Sequence, residues 1–480
     1  MDEVAAKALT GAAELHAVRP AAAARPPEPA APEGEAPRFL SGSTMRHVVV
    51  MTATASVGLV AVFAVDLLSL LYISWLGDPR LTAGVGLATI VLFFATSINV
   101  GLMIAVGALV SRALGARERD RARRLAASSL VHMAVASTVV AIALVPLLPV
   151  LLPLLGASAE TLPVAQRFLW ITLPSNALMA LGMGFSGVLR AVGDARRGMY
   201  VTLVGAVVTA ILDPLLIFGL GLGAEGAAAA VVVSRLTFAG IGFHGAVAVH
   251  DLVARPRLPD ILSDARPTFA IALPAVLTNV ATPVANGFLA SVLARYGDGA
   301  IAANAIIDRL VPVAFGGIFA LSGAIGPILG QNWGAGRFDR MRAALRDAIV
   351  FMAGYVLVVW ALLVVARDPL ARLFHAEGLT ADLVGFFCLV SGAIWLFNGL
   401  LFVANAAFNN LGFPLLSTAF NWGRATLGTM PFAAVGATWY GAEGAIAGVG
   451  LGSVVFGIAA AFTAFGTIRR LKRKAGRNGA

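Results

Sequence analysis

The sequence predicts an all-α membrane protein, with about twelve transmembrane helices in two six-helix lobes related by a parallel pseudo-two-fold repeat. Three observations carry that prediction. The 480 residues are 59% hydrophobic and only 12% charged, about half the charged share of a soluble globular chain. From His47 almost to the C-terminus, apolar runs follow one another at the length of about 20 residues that a bilayer crossing needs. Finally, landmarks of the first half recur in the second at a nearly constant offset.

Residues 1–44 are rich in Ala and Pro and poor in large apolar residues, and they read as a disordered cytoplasmic tail. No compact apolar stretch of the signal-peptide kind interrupts them. Breaks at Gly, Pro and charged clusters then give spans at 48–76, 81–112, 126–154, 163–189, 196–219 and 226–249. A second set follows at 267–295, 300–330, 341–366, 380–410, 414–438 and 442–468. The first six make an N-lobe over 45–250, and 251–266 form a linker. The last six make a C-lobe over 267–470, followed by a basic cytoplasmic tail over 471–480. Spans longer than twenty residues imply tilt, or helix that projects beyond the bilayer.

The net charge of +10 is concentrated in alternate loops. Arginines crowd after span two (Arg117, Arg119, Arg121, Arg123), span four (Arg190, Arg196, Arg197), span six (Arg255, Arg257) and span eight (Arg337, Arg340, Arg342). This is the positive-inside pattern, which places both termini in the cytoplasm of a bacterial inner membrane. It argues against a nucleic-acid partner, for which basic residues would gather on one binding face. Cys388 is the only cysteine, which excludes disulfides and cysteine-based metal sites. Motifs for Ser-His-Asp, phosphate-loop or zinc chemistry are absent, so the expectation is no enzyme, no cofactor and no metal.

Gly77-Asp78 after span one answers to Gly297-Asp298 after span seven, an offset of 297 − 77 = 220. Gly193 pairs with Gly412, at 412 − 193 = 219, and Gly223-Ala224-Glu225-Gly226-Ala227 returns at Gly441, at 441 − 223 = 218. Six helices bring the chain back to the side it started from, so the halves are parallel. Transporters whose two bundles rock about a central site have this organisation.

Acids inside a bilayer are costly, by about 2.5 kcal/mol or more at a helix centre, and mark functional sites by default. Asp213 lies six residues from the outer end of span five, about 9 Å along the axis. Pro214 follows it, removing a backbone donor and allowing a bend. Asp66 lies ten residues from the outer end of span one, about 15 Å deep. Asn176 is one of several asparagines that could line a cavity, although such residues more often join transmembrane helices. Arg235, Arg309 and Arg424 read as snorkelling or interhelical partners.

Over residues 45–470 the chain resembles the multidrug and toxic compound extrusion family. The more specific marks are Gln331-Asn332-x-Gly334-Ala335-Gly336, Arg190-x-x-Gly193-Asp194 and Leu212-Asp213-Pro214. Within the family it looks closest to the DinF-type branch, since span seven from Ala270 to Leu293 and span ten from Val384 to Leu411 hold no acid. The resemblance implies outward antiport of amphipathic, often cationic, small molecules against protons, with sodium the other coupling ion. It also puts two departures on record. Ser69 stands where the family usually has its span-one acid, and Thr209 where an asparagine is common one turn before Asp213. The expected coupling site is therefore Asp66 and Asp213, with Ser69, Thr209 and Asn176 as supporting polar residues, in a monomer whose partners are amphipathic substrates and the lipid bilayer. A lipid-linked-precursor flippase is the alternative, and a receptor or channel without coupled flux a more distant one.

Overall fold

In the computed structural model, residues 37–478 are described, and they form the expected helical membrane architecture. Ten helices come first: α1 (Thr44–Ser74), α2 (Pro79–Gly115), α3 (Arg119–Leu154), α4 (Leu162–Val192), α5 (Ala195–Gly219), α6 (Gly223–Val249), α7 (Leu258–Tyr296), α8 (Asp298–Gly334), α9 (Phe338–Leu373) and α10 (Leu379–Leu411). The final apolar stretch, Pro414–Arg477, is broken by non-helical backbone at Tyr440 and Gly441, where Gly441 has φ 62°. It therefore makes two helices, α11 (414–439) and α12 (442–478), and twelve spans in all.

Local chemistry sets many of the ends. Asp78 caps α2 through its side chain, which accepts from the Arg80 N–H at 2.9 Å, and Pro79 occupies the first helical position, where its missing donor costs nothing. Asp194 caps α5 in the same way, accepting from the Arg197 N–H at 3.1 Å. Partial burial pushes the Asp194 carboxyl up, but hydrogen bonds from His250 and Arg197 outweigh it and hold the group below the usual carboxylate range. Gly193 and Gly412 close α4 and α10 at φ 95° and 88°, left-handed geometry that a side chain would strain. The two landmarks of the sequence repeat thus hold the same post in each lobe.

The outward surfaces are apolar, with Leu154, Val365 and Phe462 each more than 70% exposed, as lipid-facing positions should be. Trp75, Trp439 and Tyr440 are exposed where their helices end, away from the arginine-rich loops, in the manner of an interfacial aromatic belt. Interior packing divides between a C-lobe core around Phe315, Phe408 and Met352 and N-lobe cores around Leu102, Met133, Leu169 and Leu173.

The lobes meet mainly at the end that carries the arginine-rich loops, the basic end. A Cβ on Gly115 would lie 2.0 Å from the Gln331 carbonyl oxygen, and one on Gly334 2.0 Å from that of Arg112. Only glycine lets α2 and α8 cross so closely. Arg112 donates to the carbonyls of Asn409 and Asn410 at 2.8 Å each and covers the Trp333 ring at 4.4 Å. Ser128 of α3 donates to Asp264 of α7 at 2.9 Å. At the far end the corresponding bonds stay within a lobe, as in Arg167 to Glu225, Tyr296 to the Ala437 carbonyl and Thr380 to the Gly299 carbonyl. The molecule is closed at its basic end and open at the other.

Three boundaries differ from expectation. Residues 1–36 of the predicted tail lie outside the described residues, but its last part is ordered, with a 3₁₀ turn at Arg38–Leu40. Phe39 is 1% exposed and belongs to the interior packing, and the strap formed by residues 37–43 bonds through its backbone to Gln331 and Asn332 of α8. Helix α7 begins at Leu258, so the second half of the predicted linker 251–266 is helical, held against α3 by Asp264. Helix α12 runs through Asn478, so the basic tail is helical as far as it is described.

Candidate functional site

Both sequence-predicted acids lie in the N-lobe. Asp213 is 1% exposed on the inner side of α5. One carboxylate oxygen accepts a hydrogen bond from Ser69 of α1, while the other, Oδ1, is buried with no partner among the described residues. Pro214 comes next, and the helix then widens into a π-helical turn at Leu215–Gly219. Such turns concentrate at functional sites, because an added residue per turn re-aims side chains and loosens the hydrogen-bond ladder.

Asp66 lies one helical turn from Ser69 towards the basic end. Its side chain is exposed on α1. Asp213 and Arg235 are within electrostatic reach of it. Arg235 of α6 is itself buried, and its Nη1 donates to the Thr172 carbonyl at 2.6 Å and to Ser175 Oγ at 3.0 Å. The Thr172 carbonyl is available because α4 is interrupted by a 3₁₀ turn at Leu173–Ser175, around Pro174. Arg235 thereby takes the interhelical role, and it adds to the site a positive charge that the sequence reading left out.

The supporting residues separate. Ser69 is part of the site through its bond to Asp213. Thr209 sits one turn before Asp213, buried, with its hydroxyl turned back to the Gly205 carbonyl at 3.1 Å. Asn176 is buried and accepts from Asn99 Nδ2 at 3.0 Å, and Ser137 donates to Asn99 Oδ1 at 2.6 Å. That chain ties α2, α3 and α4 together, the helix-joining role common for intramembrane asparagine. Its value is mechanical, within the N-lobe.

Above the acids the lobes part. Gly316 of α8 still touches Val60 of α1, at 3.8 Å from a Cβ built on the glycine. Beyond that contact an open crevice of about 570 Å³ is lined by Leu70 and Ser74 of α1, Thr82 and Gly86 of α2, and Arg309 of α8. Asp66, Leu70 and Ser74 follow at intervals of four residues and share a helix face. The crevice therefore leads from the far end down towards the acids. Asp66 thus shares the α1 face that lines the crevice, while Asp213 is buried beside Ser69.

The family model described as MatE matches residues 55–215 and 274–435, once in each lobe, at offsets of 274 − 55 = 219 and 435 − 215 = 220. An FAD transporter of Shewanella oneidensis is 27% identical over 437 residues, covering 89% of this chain and 95% of the relative. The multidrug export protein MepA of Staphylococcus aureus is 27% identical over 346 residues, covering 70% of this chain and 75% of the relative. Among solved structures, the Vibrio cholerae MATE transporter VcmN, an aspartate-to-asparagine mutant, superposes with a TM-score of 0.83 at 26% identity, covering 89% of this chain and 97% of the other. A MOP superfamily transporter of Pyrococcus furiosus superposes with a TM-score of 0.85 at 21% identity, over 91% and 99% of the two chains. The latter likeness concerns the fold.

Proposed function

The chain belongs to the MatE family, and on that premise we propose that this secondary transporter exports amphipathic small molecules in exchange for protons, by alternating access of its two lobes. The arginine-rich loops face the cytoplasm of a bacterial inner membrane in this reading. The closed basic end is then the cytoplasmic gate, and the crevice opens outward. The relatives known as an FAD transporter and as a multidrug export protein support a cargo of organic small molecules. The role is that of a transporter rather than an enzyme.

The observation that carries the proposal is Asp213: a carboxylate 1% exposed inside a spanning helix, with one oxygen bonded to Ser69 and the other without a partner. Its charge is felt directly at the contact between α1 and α5. Gaining a proton removes that charge and remakes the Ser69 hydrogen bond. The change falls beside Pro214 and the π-helical turn, where α5 is least constrained. Helix α1 carries it to Leu70 and Ser74 in the crevice wall, where cargo would be displaced. Asp66 is the second acid, within electrostatic reach of Asp213 and Arg235. Coupling follows if the outward- and inward-open states bind the proton with different affinity, since a ligand moves a conformational equilibrium only by its differential affinity.

In proteoliposomes under an inward proton gradient, Asp213→Asn should reduce efflux to the passive leak while leaving expression and elution behaviour unchanged. Efflux at the wild-type rate would overturn the proposal.

A further inference from the structure

The arginines inside the spans are not equivalent. Arg112 is bonded to two carbonyls, Arg190 to the Ser186 carbonyl and Met103 sulfur, Arg235 to Thr172 and Ser175, and Arg424 to Thr282 Oγ1. No hydrogen bond or ion pair joins Arg309 to any described residue. Its backbone lies 309 − 298 = 11 residues into α8, about 16 Å from that end, and its exposed side chain shares the crevice with Ser74, Gly77 and Asp78 where α1 ends and α2 begins. A charge on a spanning helix is costly unless water or an anion reaches it.

The surroundings say which way Arg309 faces. The other residues lining its crevice, among them Leu70, Ser74, Ala83 and Gly86, all belong to the opposite lobe. Arg309 therefore looks across the interlobe gap. Asp78, the only acid lining the crevice, is already committed to Arg80, with Nη2 to Oδ2 at 2.9 Å. The neighbouring acid in sequence, Asp308, accepts from Asn304 at 3.1 Å, and consecutive residues do not share a helix face. A guanidinium presents a planar fork of donors that matches a phosphate or carboxylate in bidentate fashion. Low-dielectric helix walls strengthen that attraction.

We propose that Arg309 is an anion-binding subsite of the interlobe crevice, so that the cargo includes amphipathic molecules bearing a phosphate or carboxylate. The proposal rests on the reading of the crevice as the cargo path, and it widens the cargo beyond the cationic amphiphiles expected from family resemblance. Arg309 holds the anionic group on the C-lobe side, while the aromatic or aliphatic body of the cargo lies against α1 and α2. A lipid phosphate entering from the bilayer would offer the same chemistry, so the test separates the two sources.

The full-length protein in phosphatidylcholine nanodiscs is titrated with FMN and with riboflavin, which share one ring system and differ by a phosphate. Wild type should bind FMN about tenfold more tightly than riboflavin, the scale of a charge-assisted hydrogen bond. Arg309→Ala should bring FMN down to the riboflavin level, and Arg309→Lys should keep part of the preference. Equal affinities in the wild type, no saturable FMN binding, or an unchanged FMN affinity in Arg309→Ala would each overturn the subsite. In phosphatidylglycerol nanodiscs FMN affinity should persist; its loss there would assign Arg309 to lipid headgroups and overturn the proposal. Equilibrium binding requires no gradient, so its outcome is independent of whether Asp213 couples protons. Failure of the Asp213→Asn efflux test would remove the coupling scheme and leave the subsite standing.

Discussion

Asp213 and Ser69 are 144 positions apart in the chain and share one hydrogen bond across α1 and α5. Removing the hydroxyl would leave a buried carboxylate with neither oxygen partnered, at a cost of about 1.5–3 kcal/mol for a bond to a charged group. Ser69→Ala should therefore lower gradient-driven efflux by about tenfold or more, and Ser69→Thr, which keeps the donor, should restore most of it. Equal rates in wild type and Ser69→Ala would show that the bond has no part in transport. Asp213 and Asp66 were legible in the sequence because a carboxylate inside an apolar span has few structural explanations. Their partners were not. Ser69 was visible only as a departure from family pattern, and Arg235 joins the site through a carbonyl that the 3₁₀ turn at Leu173–Ser175 leaves available. A side chain's reach across helices is a tertiary fact, with no signature in spacing.

Twelve helices could be read from apolar run length, and Gly193 and Gly412 from their repeat offset, because hydrophobic thickness and left-handed caps impose local requirements. The strap at residues 37–43 has no such local signature, and its order comes from long-range contacts. The Arg38 guanidinium donates to the Gly193 carbonyl at 2.8 Å, on the N-lobe. The Phe39 N–H donates to Gln331 Oε1 at 2.9 Å, and Arg340 Nη2 donates to the Phe39 carbonyl at 3.0 Å, both on the C-lobe. Gln331 Nε2 in turn donates to the Ala191 carbonyl at 2.7 Å. These bonds span the seam that would open at the basic end in the proposed exchange, where the strap would stabilise the closed gate. Truncating a buried phenylalanine costs about 3–5 kcal/mol, and here part of that loss falls on the closed state alone. Ser111→Cys, a buried position where α2 meets Gly330 of α8, can report on the gate, since Cys388 is fully buried within the C-lobe. With Phe39→Ala added, a water-soluble maleimide should label Ser111→Cys about tenfold faster, a shift of roughly 1.4 kcal/mol between gate states. An unchanged labelling rate would mean that the strap is not part of the gate.

The two lobes repeat in backbone and differ in chemistry. Both carry glycine caps on α4 and α10, an irregular turn within the same helices at Leu173–Ser175 and Phe387–Ser391, and π-helical turns in α5 and α11. The acids Asp66 and Asp213 belong to the N-lobe, while the unpaired Arg309 belongs to the C-lobe. Apolar patterning reveals such a repeat because every helix must satisfy the same bilayer. It does not reveal which lobe faces which, or that the crevice opens at one end, since both depend on glycine crossings between residues more than two hundred positions apart. In the proposed exchange the symmetric framework serves the rocking movement and one lobe the proton.

That assignment is tested most directly by running the transporter backwards and reading the proton. Wild-type protein in proteoliposomes with a trapped pH indicator is given a gradient of transported dye and no imposed pH difference. Dye movement should drive protons in the opposite direction, with no dependence on sodium and no proton signal in Asp213→Asn. Dye movement in the wild type without a pH change, or with one that persists in Asp213→Asn, would contradict the account.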